Sequence, residues 1–168
     1  MDAGRESERT SMKNITTVEK RSERELLVTR TFDAPAHIVF EAWTKPELIR
    51  RWWLPKSMNM TLISCEMDVR VGGKYRFVFG GGMEFFGRYI DVVPNSRIVW
   101  TNEESGEDGS ITTVTFEEKD GKTLLVMSEL YPSKEALDAA GTGAADATHE
   151  TFAQLDELLV ELGAAGRR

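Results

Sequence analysis

Side chains suited to chemistry are few in this chain. It has two histidines, His37 and His149, and one cysteine, Cys65, in 168 residues. A zinc site of the His/Cys kind needs about four such ligands at set spacings, so these counts argue against one. A lone cysteine excludes an intrachain disulfide. His149 falls one turn before Phe152, beside an apolar stripe. An imidazole there could hydrogen-bond a ligand or take a proton near neutral pH. The plainer alternative is a half-exposed helix residue with no chemical role. Ser128 is its candidate polar partner, and no Asp or Glu is placed to orient the ring as in a triad. His37 has no second ligand at metal-binding spacing. Cys65 has no neighbouring His or basic residue in sequence to lower its pKa and reads as an unreactive, partly buried thiol. Gly72-Gly73-Lys74 lacks the spacing of a phosphate-binding loop. Gly141-Thr142-Gly143 follows no βαβ unit. The acidic run Glu103–Gly109 lacks the ligand positions of an EF-hand and reads as a solvated hairpin tip. No cofactor is expected.

Charge and patterning narrow the partners. Lysine plus arginine total 21 against 28 acids, a net charge of -7, which repels a phosphate backbone, so nucleic acid is not an expected partner. No apolar run approaches the roughly 20 residues that a membrane helix needs. The first residues contain no hydrophobic stretch of the secretory kind. These readings place the protein in the cytoplasm, without membrane insertion. The length suits one domain.

The elements that must position any site follow from periodicity. Residues 1–23 mix both charge signs with almost no large apolar side chains and are expected to form a flexible tail. Residues 25–32 read as a strand. Pro35 then opens a helix carrying Ile38, Val39, Ala42 and Trp43 at helical spacing. Thr44 and Glu47 resemble a capping box for a second short helix over about 45–51. From about 58 to 131 the apolar period drops to two. Strands are expected at 58–71, 73–79, 83–93, 97–103, 110–118 and 122–131, joined by short turns as an antiparallel meander. Ser133 caps a short helix. A long helix over 144–162 is expected to stop at Gly163, with Phe152, Leu155, Leu158, Leu159 and Leu162 on its apolar face and Asp156, Glu157 and Glu161 pointing away. The order is α+β: a bent antiparallel sheet gripping one long C-terminal helix, with two short helices between the first and second strands. The single domain spans 24–163, with a second tail at 164–168.

Turn length decides which side chains face inward. A three-residue loop at Gly80-Gly81-Gly82 sets Phe79, Phe77 and Tyr75 opposite Met83, Phe85 and Gly87. The same face continues to Tyr89, Ile98, Trp100 and Asn102. At Lys119-Asp120-Gly121 two turns compete. A three-residue loop, the preferred reading, sends Leu124, Val126 and Ser128 inward with Phe116, and Glu129 outward or to the rim. A two-residue Asp-Gly turn sends Leu125, Met127 and Glu129 inward instead. Trp53, Phe77, Phe79, Phe85, Tyr89, Trp100, Phe116, Val126 and Phe152 are then candidate walls of an apolar site, with Ser128 and His149 as its polar handle. Such a set either interlocks as solid core or leaves an apolar cavity of a few hundred Å³.

The runs RTFDAPAHIVFEAWTKPELIRRWWLP, VGGKYRFVF, FFGRYIDVVPNSRIVWT and ITTVTFEEKDGKTLLVMSELYPS, followed by a closing amphipathic helix, resemble the SRPBCC (START/Bet v 1-like) superfamily. Within it they are similar to bacterial proteins of the activator of Hsp90 ATPase homologue 1-like family. The resemblance implies a helix-grip fold, often with an internal hydrophobic cavity, and favours the open cavity. It points first to a binding protein for a small hydrophobic molecule. A polyketide cyclase- or hydratase-like enzyme using His149 as acid or base is a second reading, and a protein-interaction module is a third. An Hsp90-type partner rests on the family name alone, and a homodimer stays open. Where relatives commonly carry His-Glu and Gly-Trp, this chain has Ser128-Glu129 and Thr148-His149-Glu150, so no catalytic residue carries over.

Overall fold

A computed structural model of the chain describes residues 15–103, 109–141 and 146–166. Its strands are β1 (Thr17–Lys20), β2 (Glu25–Phe32), β3 (Leu62–Met67), β4 (Lys74–Phe79), β5 (Glu84–Val93), β6 (Arg97–Thr101), β7 (Ile111–Lys119) and β8 (Lys122–Leu130). They form one antiparallel sheet in the order β1-β2-β8-β7-β6-β5-β4-β3. Helices α1 (Ala36–Thr44) and α2 (Pro46–Ile49) come between β2 and β3, α3 (Lys134–Ala140) follows β8, and α4 (Thr148–Gly166) is the long C-terminal helix. This is the expected α+β helix-grip architecture.

The alternation ELLVTRTF buries Leu26, Val28, Arg30 and Phe32 of β2 on one face. Phe152, Leu155, Leu158 and Leu159 of α4 join the same core, and Phe152 meets Phe32 edge to face at 5.5 Å. Each such side chain stabilises the fold by about 1.5–3 kcal/mol through burial. Arg30 is the polar exception. Its guanidinium donates to the Asp156 carboxylate of α4 and to Thr16 Oγ1 at 3.0 Å, and its charge lies over the Phe32 ring. Asp156 therefore points to the sheet, not away from it as helical spacing suggests. Burial depresses the Arg30 pKa, and the Asp33 carboxylate works against that shift.

Four local expectations change. First, β1 falls within the stretch read as tail. It pairs Thr17 with Thr29 and Lys20 with Leu26, so its stability comes from main-chain bonds to an edge, which leave little apolar signal. Residues 1–14 lie outside the described residues. Second, α4 runs through Gly163 to Gly166, because a glycine inside a helix costs only about 1 kcal/mol and need not end it. The expected helix start at 144 and the last two residues of the chain lie outside the described residues. Third, the Thr44 hydroxyl donates to Phe40 O one turn back, at 2.9 Å, and does not cap α2. Ser133 does cap α3, accepting from Ala136 N at 3.1 Å. The start of α1 is capped from afar: Ala36 N donates to Glu118 Oε1 of β7 at 2.8 Å.

The fourth change sets the site. Lys119 pairs with Lys122 and Phe116 with Leu125, so β7 and β8 are joined by a two-residue turn. Asp120 (φ 56°) and Gly121 (φ 76°) both occupy the left-handed region. That is the turn whose twist matches the strands it joins, and Asp tolerates the conformation. The register moves β8 by one residue relative to the three-residue alternative. Leu125 and Met127 are buried, and Leu124 and Val126 turn to the other face.

Candidate functional site

The first meander hairpin has the expected pairing. Phe77 faces Phe85, Tyr75 faces Gly87, and Phe79 N donates to Met83 O at 2.8 Å. Gly81 and Gly82 hold the positive φ that the loop requires. At Gly87 a Cβ would stand 2.0 Å from Thr101 O, so only glycine lets β5 pass this close to the end of β6. Tyr75 uses that carbonyl, donating its hydroxyl to Thr101 O at 2.7 Å.

Two adjoining hollows open inside the grip. The larger, about 560 Å³, is walled by Trp43, Trp53, Tyr75, Phe77, Tyr89 and Trp100, with Ala136, Ala139 and Ala140 of α3 along one side. The smaller, about 360 Å³, is walled by Trp52, Leu54, Met60, Phe79, Met127 and Phe152 among others. Trp43, Trp53, Phe85, Trp100, Asn102 and Glu129 line both, so the two are lobes of one cavity. The rings brace each other. Trp43 stands 4.8, 5.9 and 6.0 Å from Trp52, Trp53 and Trp100 between ring centroids, and Trp53 stands 5.7 Å from Phe77. The Trp52, Trp53 and Phe77 contacts are edge to face and the Trp43–Trp100 contact is tilted, so the rings fix one another's orientation.

Polar groups gather at one end. Asn102 Oδ1 accepts from Trp100 Nε1 and from the Tyr75 hydroxyl, both at 3.3 Å. Its amide nitrogen donates to Thr112 Oγ1 at 2.9 Å and to Ser110 Oγ at 3.1 Å. Thr112 pairs across the ladder with Glu129. The Tyr131 hydroxyl donates to Glu129 Oε2 at 3.1 Å. Burial, and then the Glu129 charge, hold the Tyr131 phenol well above its usual range, so it remains a donor at neutral pH. Burial does the same to Tyr89. Tyr131 is tied down by the β1–β2 turn: its N–H donates to Arg24 O at 2.7 Å, and Arg24 Nε donates to its carbonyl at 3.0 Å. Arg24, the first residue of the expected domain, thus helps to place a cavity side chain.

A clamp from α4 holds the opposite wall. Gln154 Nε2 donates to Trp52 O at 3.1 Å and Leu54 O at 2.8 Å, and its Oε1 accepts from Lys56 N at 2.9 Å. One turn earlier, Glu150 accepts from Ser57 N at 2.9 Å and Ser57 Oγ at 2.5 Å. Those bonds from Ser57 draw the Glu150 pKa below the usual carboxylate range.

Of the side chains expected at the site, Trp53, Phe77, Phe79, Phe85, Tyr89, Trp100 and Phe152 line the cavity. Four stand elsewhere. Phe116 is buried behind the wall, 5.5 Å from Phe40 and 6.2 Å from Trp43. Val126 and Ser128 are on the opposite face of β8 because of the two-residue turn, and Ser128 donates to the Glu25 carboxylate there. His149 is exposed and outside both lobes, because the inward face of α4 carries Thr148, Thr151, Phe152 and Leu155. The same turn corrects Glu129, which faces the cavity. Trp43, Tyr75, Asn102 and Tyr131 join the lining beyond the expected set. For Tyr75 and Asn102 the strand parity already pointed inward. Cys65 is half-buried opposite Phe77, its thiol pushed up to about 11 by burial, and it lines neither lobe. Among the described residues, no cluster of His, Cys, Asp and Glu could hold a metal ion, and no helix is long and apolar enough to cross a membrane.

Residues 33–160 match the family model for Activator of Hsp90 ATPase homolog 1-like protein. The chain belongs to this family. Its fold recurs in solved structures of bacterial proteins. A Rhodobacter sphaeroides crystal structure is 25% identical with a TM-score of 0.77, covering 88% of this chain and 99% of that one. A Staphylococcus epidermidis solution structure is 27% identical with a TM-score of 0.70, covering 86% and 94%. A Nitrosomonas europaea crystal structure, at 22% identity and a TM-score of 0.74, shares the fold over 86% of this chain and 99% of that one. No functionally curated protein matches the chain. Family membership accounts for the START-like grip and supports a ligand-binding or related domain.

Proposed function

We propose that this member of the Activator of Hsp90 ATPase homolog 1-like family binds a small, largely apolar molecule in the two-lobed cavity. The observation that carries the reading is the cavity itself. Lobes of about 560 and 360 Å³ share a wall of tryptophans and meet a few converging polar groups. Volumes of this order, dominated by aromatic surface, suit a small ligand whose affinity comes from burial at about 25 cal/mol per Å². The acid/base alternative loses its residue, since His149 is exposed and lines neither lobe.

Native mass spectrometry of freshly purified protein tests the reading, together with titration by the neutral fluorophore N-phenyl-1-naphthylamine. A retained small molecule, or saturable 1:1 uptake of the dye, is expected. In Ala136→Trp the added indole occupies the larger lobe and should weaken dye uptake about tenfold. The absence of both a retained molecule and saturable dye uptake would overturn the proposal.

A further inference from the structure

The two lobes differ in their sulfur. Four of the seven methionines, Met58, Met60, Met83 and Met127, line the smaller lobe, and none is among the described residues that line the larger. They run from rim to depth. Met58 is 52% exposed and Met83 43%, Met60 is half-buried and Met127 is buried. A side chain that lines the lobe and also meets solvent stands at its edge, so Met58 and Met83 are within reach both of a ligand and of a small oxidant from outside. Their backbones are pinned. Met58 N donates to Pro55 O at 3.1 Å, in the turn that Gln154 and Glu150 hold through Lys56 N and Ser57 N, and Met83 O accepts from Phe79 N at 2.8 Å. A change at either thioether therefore alters the wall and leaves the fold in place. The chain's one thiol does not compete. Cys65 is half-buried and lines neither lobe, and burial pushes its pKa up to about 11, so at neutral pH it is not the thiolate that peroxide attacks.

We propose that Met58 and Met83 are a modification site: hydrogen peroxide oxidises them to sulfoxides, and the sulfoxides weaken the hold of the smaller lobe on an apolar ligand. This inference rests on the binding reading above and adds a chemical control to it. At each residue a lone pair of the thioether sulfur attacks one peroxide oxygen, forming the S–O bond as the O–O bond breaks. The hydroxide released takes the proton from the oxygen now on sulfur and leaves as water. Sulfur loses two electrons and peroxide gains them. The product sets a polar acceptor where an apolar contact stood, and a ligand seated against it buries that oxygen without a donor. Met127, deep in the lobe, is shielded, so the response belongs to the rim.

The test treats the full chain with hydrogen peroxide at neutral pH, follows each methionine by peptide mass mapping, and titrates N-phenyl-1-naphthylamine before and after. Met58 and Met83 should take up oxygen about tenfold or more faster than Met127. Once both are converted, dye affinity should fall about five- to tenfold, with the far-ultraviolet circular dichroism unchanged. Methionine sulfoxide reductases should then restore the affinity. In a Met58→Leu, Met83→Leu double variant, which keeps the apolar volume, the same treatment should change that protein's own dye affinity by less than about twofold. Full conversion without loss of affinity, a loss that the reductases do not reverse, or the same loss in the double variant would overturn the proposal while the cavity reading stands. Oxidation of Met127 ahead of Met58 and Met83 would overturn it as well. Absence of dye uptake by the untreated chain would remove the binding reading, and this inference with it.

Discussion

Leu124 and Leu125 are adjacent and chemically identical, and only the β7–β8 register separates them. Leu125 is fully buried, whereas Leu124 is 40% exposed on the other face. Leu125→Ala deletes about three carbons from the core. Transfer alone costs about 2.4 kcal/mol, and the cavity left behind raises this to about 3–4 kcal/mol. Leu124→Ala removes side-chain surface that is already partly wet and should cost about 1 kcal/mol or less. The expected gap is therefore about 2–3 kcal/mol, or roughly 5–10 °C in Tm for a chain of this length. Urea titration followed by tryptophan fluorescence and by far-ultraviolet circular dichroism measures both variants on one scale. A three-residue loop would bury Leu124 and expose Leu125, reversing the order. Equal costs, or a costlier Leu124→Ala, would refute the two-residue turn and with it the inward placement of Met127 and Glu129.

Other expectations follow from the same contacts. Gln154→Leu strands Lys56 N–H and the carbonyls of Trp52 and Leu54 and should cost about 2–4 kcal/mol by urea titration; a loss under about 0.5 kcal/mol would show the clamp to be idle. Gly87→Ala drives a Cβ into Thr101 O and should destabilise by about 3 kcal/mol while shifting the near-ultraviolet signal of Tyr75 and Trp100, so a silent variant would contradict the close approach of β5 and β6. The Glu150 pKa is lowered by Ser57, so its bond contributes stability above the unfolded-state value, about 4.3, and that contribution fades as pH falls through the lower folded value. The stability difference between wild type and Glu150→Gln should accordingly be present at neutral pH and vanish in acid, and a difference independent of pH would refute the assignment.

The long elements are legible because each carries its own period. ELLVTRTF alternates, so β2 is read over the residues it occupies. Phe152, Leu155, Leu158 and Leu159 recur at helical spacing, so the gripping face of α4 is visible before any partner is known. The triple glycine sets one parity from Tyr75 to Tyr89. Beyond it a three-residue loop pairs Val93 with Arg97, and a register shift between Tyr89 and Asp91 puts Tyr89 opposite Trp100, so the expected aromatic face continues through a bulge that the chain does not announce. The β1 strand is illegible for the opposite reason: its residues bury little, and its pairing exists only once β2 offers an edge.

At β8 the local signal is balanced. Leu124 with Val126 and Leu125 with Met127 make equally apolar faces, and Lys119-Asp120-Gly121-Lys122 accommodates either loop. One residue of register then exchanges Ser128 for Glu129 in the cavity lining. Only the packed sheet settles it, because the choice depends on which pair fills the space beneath α1 and α4. The contacts of Gln154 with the Trp52–Lys56 segment and of Glu118 with Ala36 likewise join residues some 80 to 100 positions apart, and no local pattern records them. Composition and periodicity settle which elements form and which residues are apolar. The carboxyl group in the cavity lining, the side chains that pin its walls and the displacement of His149 to the surface are consequences of register and long-range packing, which exist only in three dimensions.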